Sequence, residues 1–207
     1  TIEKNTTPIS NRFQNFSLFN SLDIPVVLYM KPVLKGITIN DLELYKKYIE
    51  KYNIWSSYKT ENEGVYIACA SIHGNTYSAC EKLKEILEEK GISKVVLSNL
   101  SKEDWSEAIE NAFRYGKIVF ASSTYNMEIF TPMRNLLLNL KEKNYQNKIV
   151  GLIENGTWAP NSAKCMKEIL STMKNIDIIE PVVTIKSKLS EENCLQLYKM
   201  AEDLIKK

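Results

Sequence analysis

The stretch from Gly64 to Thr76, GVYIACASIHGNT, decides the architecture. Its opening part, Gly64 to Ala70, is short and almost wholly apolar, the pattern of a strand buried on both faces. Ser71, Asn75 and Thr76 then bring in small polar side chains around Gly74. From Thr76 to Lys90 the apolar residues Ala79, Leu83, Ile86 and Leu87 share one helical face, and Gly91 supplies the stop. Strand, polar turn and helix in that order open a parallel α/β unit.

The same rhythm continues downstream. Lys94 to Ser98 reads as the second strand; Ser101 then opens a helix as N-cap, with Asp104 three residues on and Trp105, Ile109 and Ala112 facing inward. Lys117 to Ser122 is the third strand, and Thr131-Pro132 caps and starts the helix after it. Lys148 to Ile153 is the fourth, followed by a helix over Ser162 to Thr172. Ile176 to Ile185 holds the fifth, interrupted or bounded by Pro181, and Ser190 caps a final helix running to Leu204. The expected fold is α/β, a five-stranded parallel sheet with right-handed crossovers.

Residues 1–62 break this rhythm and read as an N-terminal extension to a domain over 63–207. Ile24 to Tyr29 has strand character, restricted by Pro25 to an edge or first position. Asp41 to Trp55 is helical, with Leu42, Tyr45, Ile49 and Tyr52 at helical spacing. The chain begins with Thr1 rather than Met, as a fragment or a processed protein would.

Composition narrows the function classes. Hydrophobic residues at 44% and charged residues at 25% suit an ordinary globular protein. No apolar run is long enough to span a bilayer and no signal segment opens the chain, so the expectation is cytoplasmic. A net charge of +2, with lysines spread among glutamates, carries no nucleic-acid signature. Cys69, Cys80, Cys165 and Cys194 form no CxxC pair and read as reduced thiols. One histidine in the whole chain cannot furnish the imidazoles of a dinuclear iron or zinc centre, so no metal site is expected.

Chemistry concentrates in three loops that follow strands one, three and four, where open parallel sheets bind ligands. Ser71-Ile72-His73-Gly74-Asn75-Thr76 offers N–H and O–H donors at a helix N-terminus, which suits a phosphate without a lysine. Neither a Walker lysine nor GxGxxG is present. The plain alternative is a capped turn that binds nothing. Ser122 to Met127 places Tyr125 among small polar groups, fit for the rim of a planar heterocycle. Glu154 to Pro160 carries Trp158 in an exposed loop, either stacked on a ligand ring or covering an apolar patch.

These loops also carry a resemblance. SIHGNT (71–76) resembles the phosphate loop of flavodoxins, and SSTYNMEIFTPM (122–133) resembles the flavin-ring loop in the flavodoxin domain of flavodiiron proteins, the A-type flavoproteins. ENGTWAP (154–160) is similar to the third loop of that family's clostridial-type members. The resemblance implies a flavodoxin-like doubly wound sheet of order 2-1-3-4-5 that binds flavin mononucleotide (FMN) and transfers electrons. It implies phosphate contacts from Ser71, Ile72, His73, Gly74, Asn75 and Thr76. Ring and ribityl contacts would come from Thr124, Tyr125, Asn126, Asn155, Gly156, Thr157 and Trp158.

Residues 30–58 resemble the segment that joins the family's metallo-β-lactamase-like diiron domain to its flavodoxin domain. That segment normally reads HGP and supplies a histidine ligand, whereas Met30-Lys31-Pro32 stands here. The resemblance further implies a redox protein partner or fused redox domain, and a homodimer. Two other functions suit the same fold: an NAD(P)H-dependent FMN or quinone reductase, and a flavin-free interaction module.

Overall fold

A computed structural model of the chain describes residues 42–207. The chain divides into two compact units, Thr1–Ser57 and Tyr58–Lys207. The strand expected over Ile24 to Tyr29 and the segment Met30-Lys31-Pro32 lie outside the described residues. Within the first unit, helix α1 spans Leu42–Ser56, close to the expected limits. Lys51 Nζ lies over the Trp55 ring at 4.7 Å, an i,i+4 pair on the helix surface.

The second unit is built on a twisted parallel sheet. Strand β1 runs Asn62–Ala70, β2 Val95–Asn99, β3 Tyr115–Tyr125 and β5 Gln146–Asn155. The expected fifth strand arrives in two pieces, β6 (Lys174–Ile178) and β7 (Val183–Ile185), both parallel to β5. Pro181 lies between them and has no N–H to give the ladder. A short β4 (Glu128–Ile129) folds back antiparallel onto β3. The order β2-β1-β3-β5-β6 matches the doubly wound order expected from the loops.

Alternation along β1 shows why its run is apolar throughout. Tyr66, Ala68 and Ala70 enter the core beneath helices α3 (Trp105–Arg114), α4 (Thr131–Glu142) and α5 (Ser162–Leu170). Val65, Ile67 and Cys69 enter the core beneath α2 (Asn75–Glu89) and α6 (Glu191–Lys206). Both faces are covered, so no polar position is tolerated between them. No described helix is long and apolar enough to cross a membrane.

Helix ends follow the sequence with a few corrections. Ser190 and Asn193 form a reciprocal capping box at α6, as its serine suggests. Helix α3, however, is capped by Asp104, whose Oδ1 accepts the Ser106 N–H at 2.7 Å. Ser101 belongs to the preceding turn, where its N–H donates to Asn99 Oδ1 at 3.1 Å. Trp105 thereby becomes the first helical residue, and it is exposed rather than inward-facing. A side chain there leans beyond the helix N-terminus, with no preceding turn to cover it. Likewise Phe130, not Thr131, is the N-cap of α4, and Pro132 lies inside its first turn.

Lys148 is a buried cation held by carbonyl oxygens. It is 3% exposed, and its Nζ donates to the carbonyls of Phe113 at 2.9 Å and Tyr115 at 2.7 Å, where α3 gives way to β3. Burial pulls its pKa from 10.5 down to about 8. The folded chain therefore releases this proton more readily than the unfolded chain does. Holding the charge costs stability below about pH 8, and the cost is relieved as pH rises from there toward 10.5. Relative to a Lys148→Met variant, the wild type should gain up to about 3 kcal/mol between about pH 7 and pH 10. Urea unfolding at both pH values checks this; a constant difference would show that Lys148 stays charged throughout.

Candidate functional site

Sheet register sets the site. Ala70 pairs with Ser122, Ser122 with Glu154, and Glu154 with Thr184, so the strand ends line up across β1, β3, β5 and β7. Between β1 and β3 the winding direction reverses, since β2 lies on one side of the pair and β5 on the other. In open α/β sheets ligands bind at such a reversal, outside the carboxyl ends of the strands.

The first loop turns at Gly74, the N-cap of α2, whose φ of +89° suits glycine. Nothing lies within 4 Å of where a Cβ would project, so space above the turn is open. Ser71 Oγ accepts the Gly74 N–H at 3.0 Å and closes the turn. No side chain caps α2 and no acidic residue occupies its first turn. The N–H groups of that turn have no intrahelical acceptor, and the helix dipole favours an anion in front of them. Ile72, His73 and Asn75 are exposed around this turn, while Thr76 is buried. Thr76 Oγ1 lies 3.0 Å from Ser123 Oγ, which also accepts the Ile72 N–H at 3.4 Å. Ser123 thus joins the first loop to the second.

The second loop is more ordered than its sequence suggests. Strand β3 continues through Tyr125, and Asn126 and Met127 (φ 50° and 62°) turn the chain into β4. Two left-handed residues in succession make the tight hairpin turn whose twist matches the strands. Tyr125 is 50% exposed, with its ring edge-on to Phe130 at 6.1 Å. Thr124 points elsewhere: its Oγ1 accepts the Asn161 and Ser162 N–H groups at 3.1 and 3.2 Å and caps α5.

In the third loop the structure employs Asn155 internally. Its Nδ2 donates to the Ser187 carbonyl and its Oδ1 accepts the Ser187 N–H, both at 3.0 Å. The Gly156 N–H donates to the Ile185 carbonyl at 3.0 Å, which ties the loop base to β7. Beneath them the buried Glu154 spends one oxygen on the Ala163 N–H and the other on the Thr184 hydroxyl, each at 2.9 Å. Thr157 and Trp158 stand clear, Trp158 at 95% exposed. Of the candidate residues, Ser71 to Thr76 form one cradle, and Tyr125, Asn126, Thr157 and Trp158 project from neighbouring loops. Thr124 and Asn155 hold the scaffold. Ser123, Glu154 and Asn161 complete the site's hydrogen-bond frame, although sequence reasoning gave them no role. Ser123 carried a signal, as the middle of a polar run directly after a buried strand.

The comparisons agree with this architecture. The chain is similar to rubredoxin oxygen:oxidoreductase (ROO) from the anaerobe Desulfovibrio gigas, with a TM-score of 0.72 and 22% identity over 79% of this chain and 40% of that one. The flavodiiron protein from Giardia intestinalis aligns with a TM-score of 0.64 and 20% identity, covering 78% of this chain and 40% of that one. A flavodoxin from the domain Archaea aligns with a TM-score of 0.59 and 19% identity, over 69% of this chain and 96% of the flavodoxin. This chain thus spans about 40% of the length of the two longer proteins and nearly all of the flavodoxin. No protein-family model and no curated protein matches it. The fold is flavodoxin-like.

Proposed function

We propose that this chain is an FMN-binding electron-transfer module. One observation carries the reading: an uncapped α2 N-terminus follows β1 at the sheet's winding reversal, and two exposed aromatics, Tyr125 and Trp158, lie on the loops that follow the adjoining β3 and β5. The donor set fits the phosphate of FMN. Ser71, Asn75, Thr76 and the first-turn N–H groups are neutral donors, and no carboxylate lies in that loop to repel an anion. Tyr125 and Trp158 would flank the ring, and the backbone of Asn126, Gly156 and Thr157 would line its polar edges. Bound FMN supplies reversible electron uptake and release; the chain anchors it, excludes water from one side and orients it.

Electrons then pass to or from a redox protein or a fused redox domain, in a homodimer working in the cytoplasm. The structural likeness to flavodiiron proteins supports a redox partner of that type. A single histidine argues against a diiron centre held by these residues alone.

Reconstitution with FMN tests the proposal: one equivalent should bind, with quenched flavin fluorescence. Trp158→Ala should weaken binding by about 1 kcal/mol, roughly fivefold, and restore part of the fluorescence. Because Trp158 is 95% exposed, the same variant should unfold at the wild-type temperature. Unchanged affinity and quenching would remove Trp158 from the ring site.

A further inference from the structure

Asn161 is the N-cap of α5, yet its side chain makes no capping bond. Asparagine is favoured at that position because its side chain accepts first-turn N–H groups. Here the capping comes from other strands. Thr124 Oγ1 takes the Asn161 and Ser162 N–H groups, and Glu154 Oε2 takes that of Ala163. The Asn161 amide is released to bond elsewhere. Its Nδ2 donates to the Met127 carbonyl at 2.7 Å, with Cys165 Sγ at 3.4 Å.

Met127 needs such a hold. Its φ of 62° lies in the left-handed region, which asparagine enters far more readily than methionine. Backbone strain of this kind persists only where the surroundings over-determine it, and it clusters at binding sites. The strained turn carries Tyr125 and the exposed Met127, while Asn161 directly follows Pro160 at the end of the loop that bears Trp158.

We infer that Asn161 is a positioning residue for the ligand ring. It clamps the Asn126–Met127 turn and thereby sets the gap between the loop of Tyr125 and the loop of Trp158. The inference rests on the FMN reading above. Asn161 acts on the turn rather than on the ligand.

The test is a titration of FMN and riboflavin into the wild type, Asn161→Ala, Met127→Gly and the double variant. Riboflavin has the ring without the phosphate, so it reports on the ring loops alone. Asn161→Ala should weaken both ligands by the same factor, about three- to tenfold. In the Met127→Gly background that loss should vanish, because glycine holds the left-handed conformation without a clamp. A side chain that merely stabilised the fold would lower the unfolding temperature and leave both affinities alone. Wild-type affinities in Asn161→Ala overturn the inference, and so does a loss that persists undiminished beside Met127→Gly. Where Asn161→Ala does not fold, Asn161→Ser, which keeps a residue favoured at an N-cap but has no amide to donate across to Met127, replaces it in the same cycle. A wild-type chain that binds neither flavin overturns the FMN reading itself, and this inference with it.

Discussion

FMN should bind the Ser71→Ala/Thr76→Ala double variant about a hundredfold more weakly than the wild-type chain. Each hydroxyl plays two parts. Ser71 Oγ accepts the Gly74 N–H and fixes the turn, while its own hydrogen remains for an outward acceptor. Thr76 Oγ1 shares a hydrogen bond with Ser123, which in turn receives the Ile72 N–H. A hydrogen bond to a charged acceptor contributes roughly 1.5–3 kcal/mol. The two hydroxyls serve one loop, so their losses overlap and the pair is worth about 3 kcal/mol rather than the full sum. Riboflavin lacks the phosphate and should bind the double variant as it binds the wild type. Fluorescence titration with both flavins separates the cases. Equal losses would place the ring at this loop instead, and full FMN affinity would move the phosphate elsewhere.

How much of this was legible in the sequence depends on which interactions set each feature. The strand and helix rhythm is local: the run from Val65 to Ala70 is apolar because both faces are covered, and that pattern reads directly. Pro181 likewise marks the break between β6 and β7 without any tertiary knowledge. Sheet order is not local, and it came from the resemblance of the loops rather than from periodicity.

Tertiary demands account for the rest. Asn126-Met127 lacks the glycine that advertises a hairpin, so the continuation of β3 to Tyr125 stayed hidden. Thr124 and Asn155 enter as ligand contacts through the resemblance of their loops, and the hydrogen bonds their side chains make within the fold are not legible in those loops. Their partners, the N-terminus of α5 and the backbone of Ser187, come from distant segments that no short window shows. Helical spacing alone points Trp105 inward, but as the first helical residue it has no earlier turn to lie against.

Gly64→Ala should lower the stability of the apo-protein by about 3 kcal/mol while leaving FMN affinity unchanged. Gly64 has a φ of +132°, a region that side-chain-bearing residues rarely enter. A Cβ there would stand 2.3 Å from the Lys94 carbonyl oxygen, the acceptor of the Val65 N–H. That oxygen is backbone and cannot swing away as a flexible side chain would. The residue belongs to an irregularity in β1: Asn62 pairs with Tyr115 and Val65 with Lys117, so β1 spends one extra residue over this step. The bulge sets which faces Val65 and Tyr66 occupy in the strand that follows, and a slip of one residue would exchange them. Alanine therefore either keeps the register under strain or breaks the Val65 bond to relieve it, and both routes cost stability. The ligand crevice lies at the other end of β1, roughly 20 Å away at about 3.3 Å per residue, so a folded variant should retain it intact. Urea unfolding should show a lower midpoint with an unchanged slope, and an FMN titration should superimpose on the wild type. An unaltered midpoint would mean that the bulge adapts to a side chain. A lost affinity at wild-type stability would mean that this end of the strand communicates with the crevice.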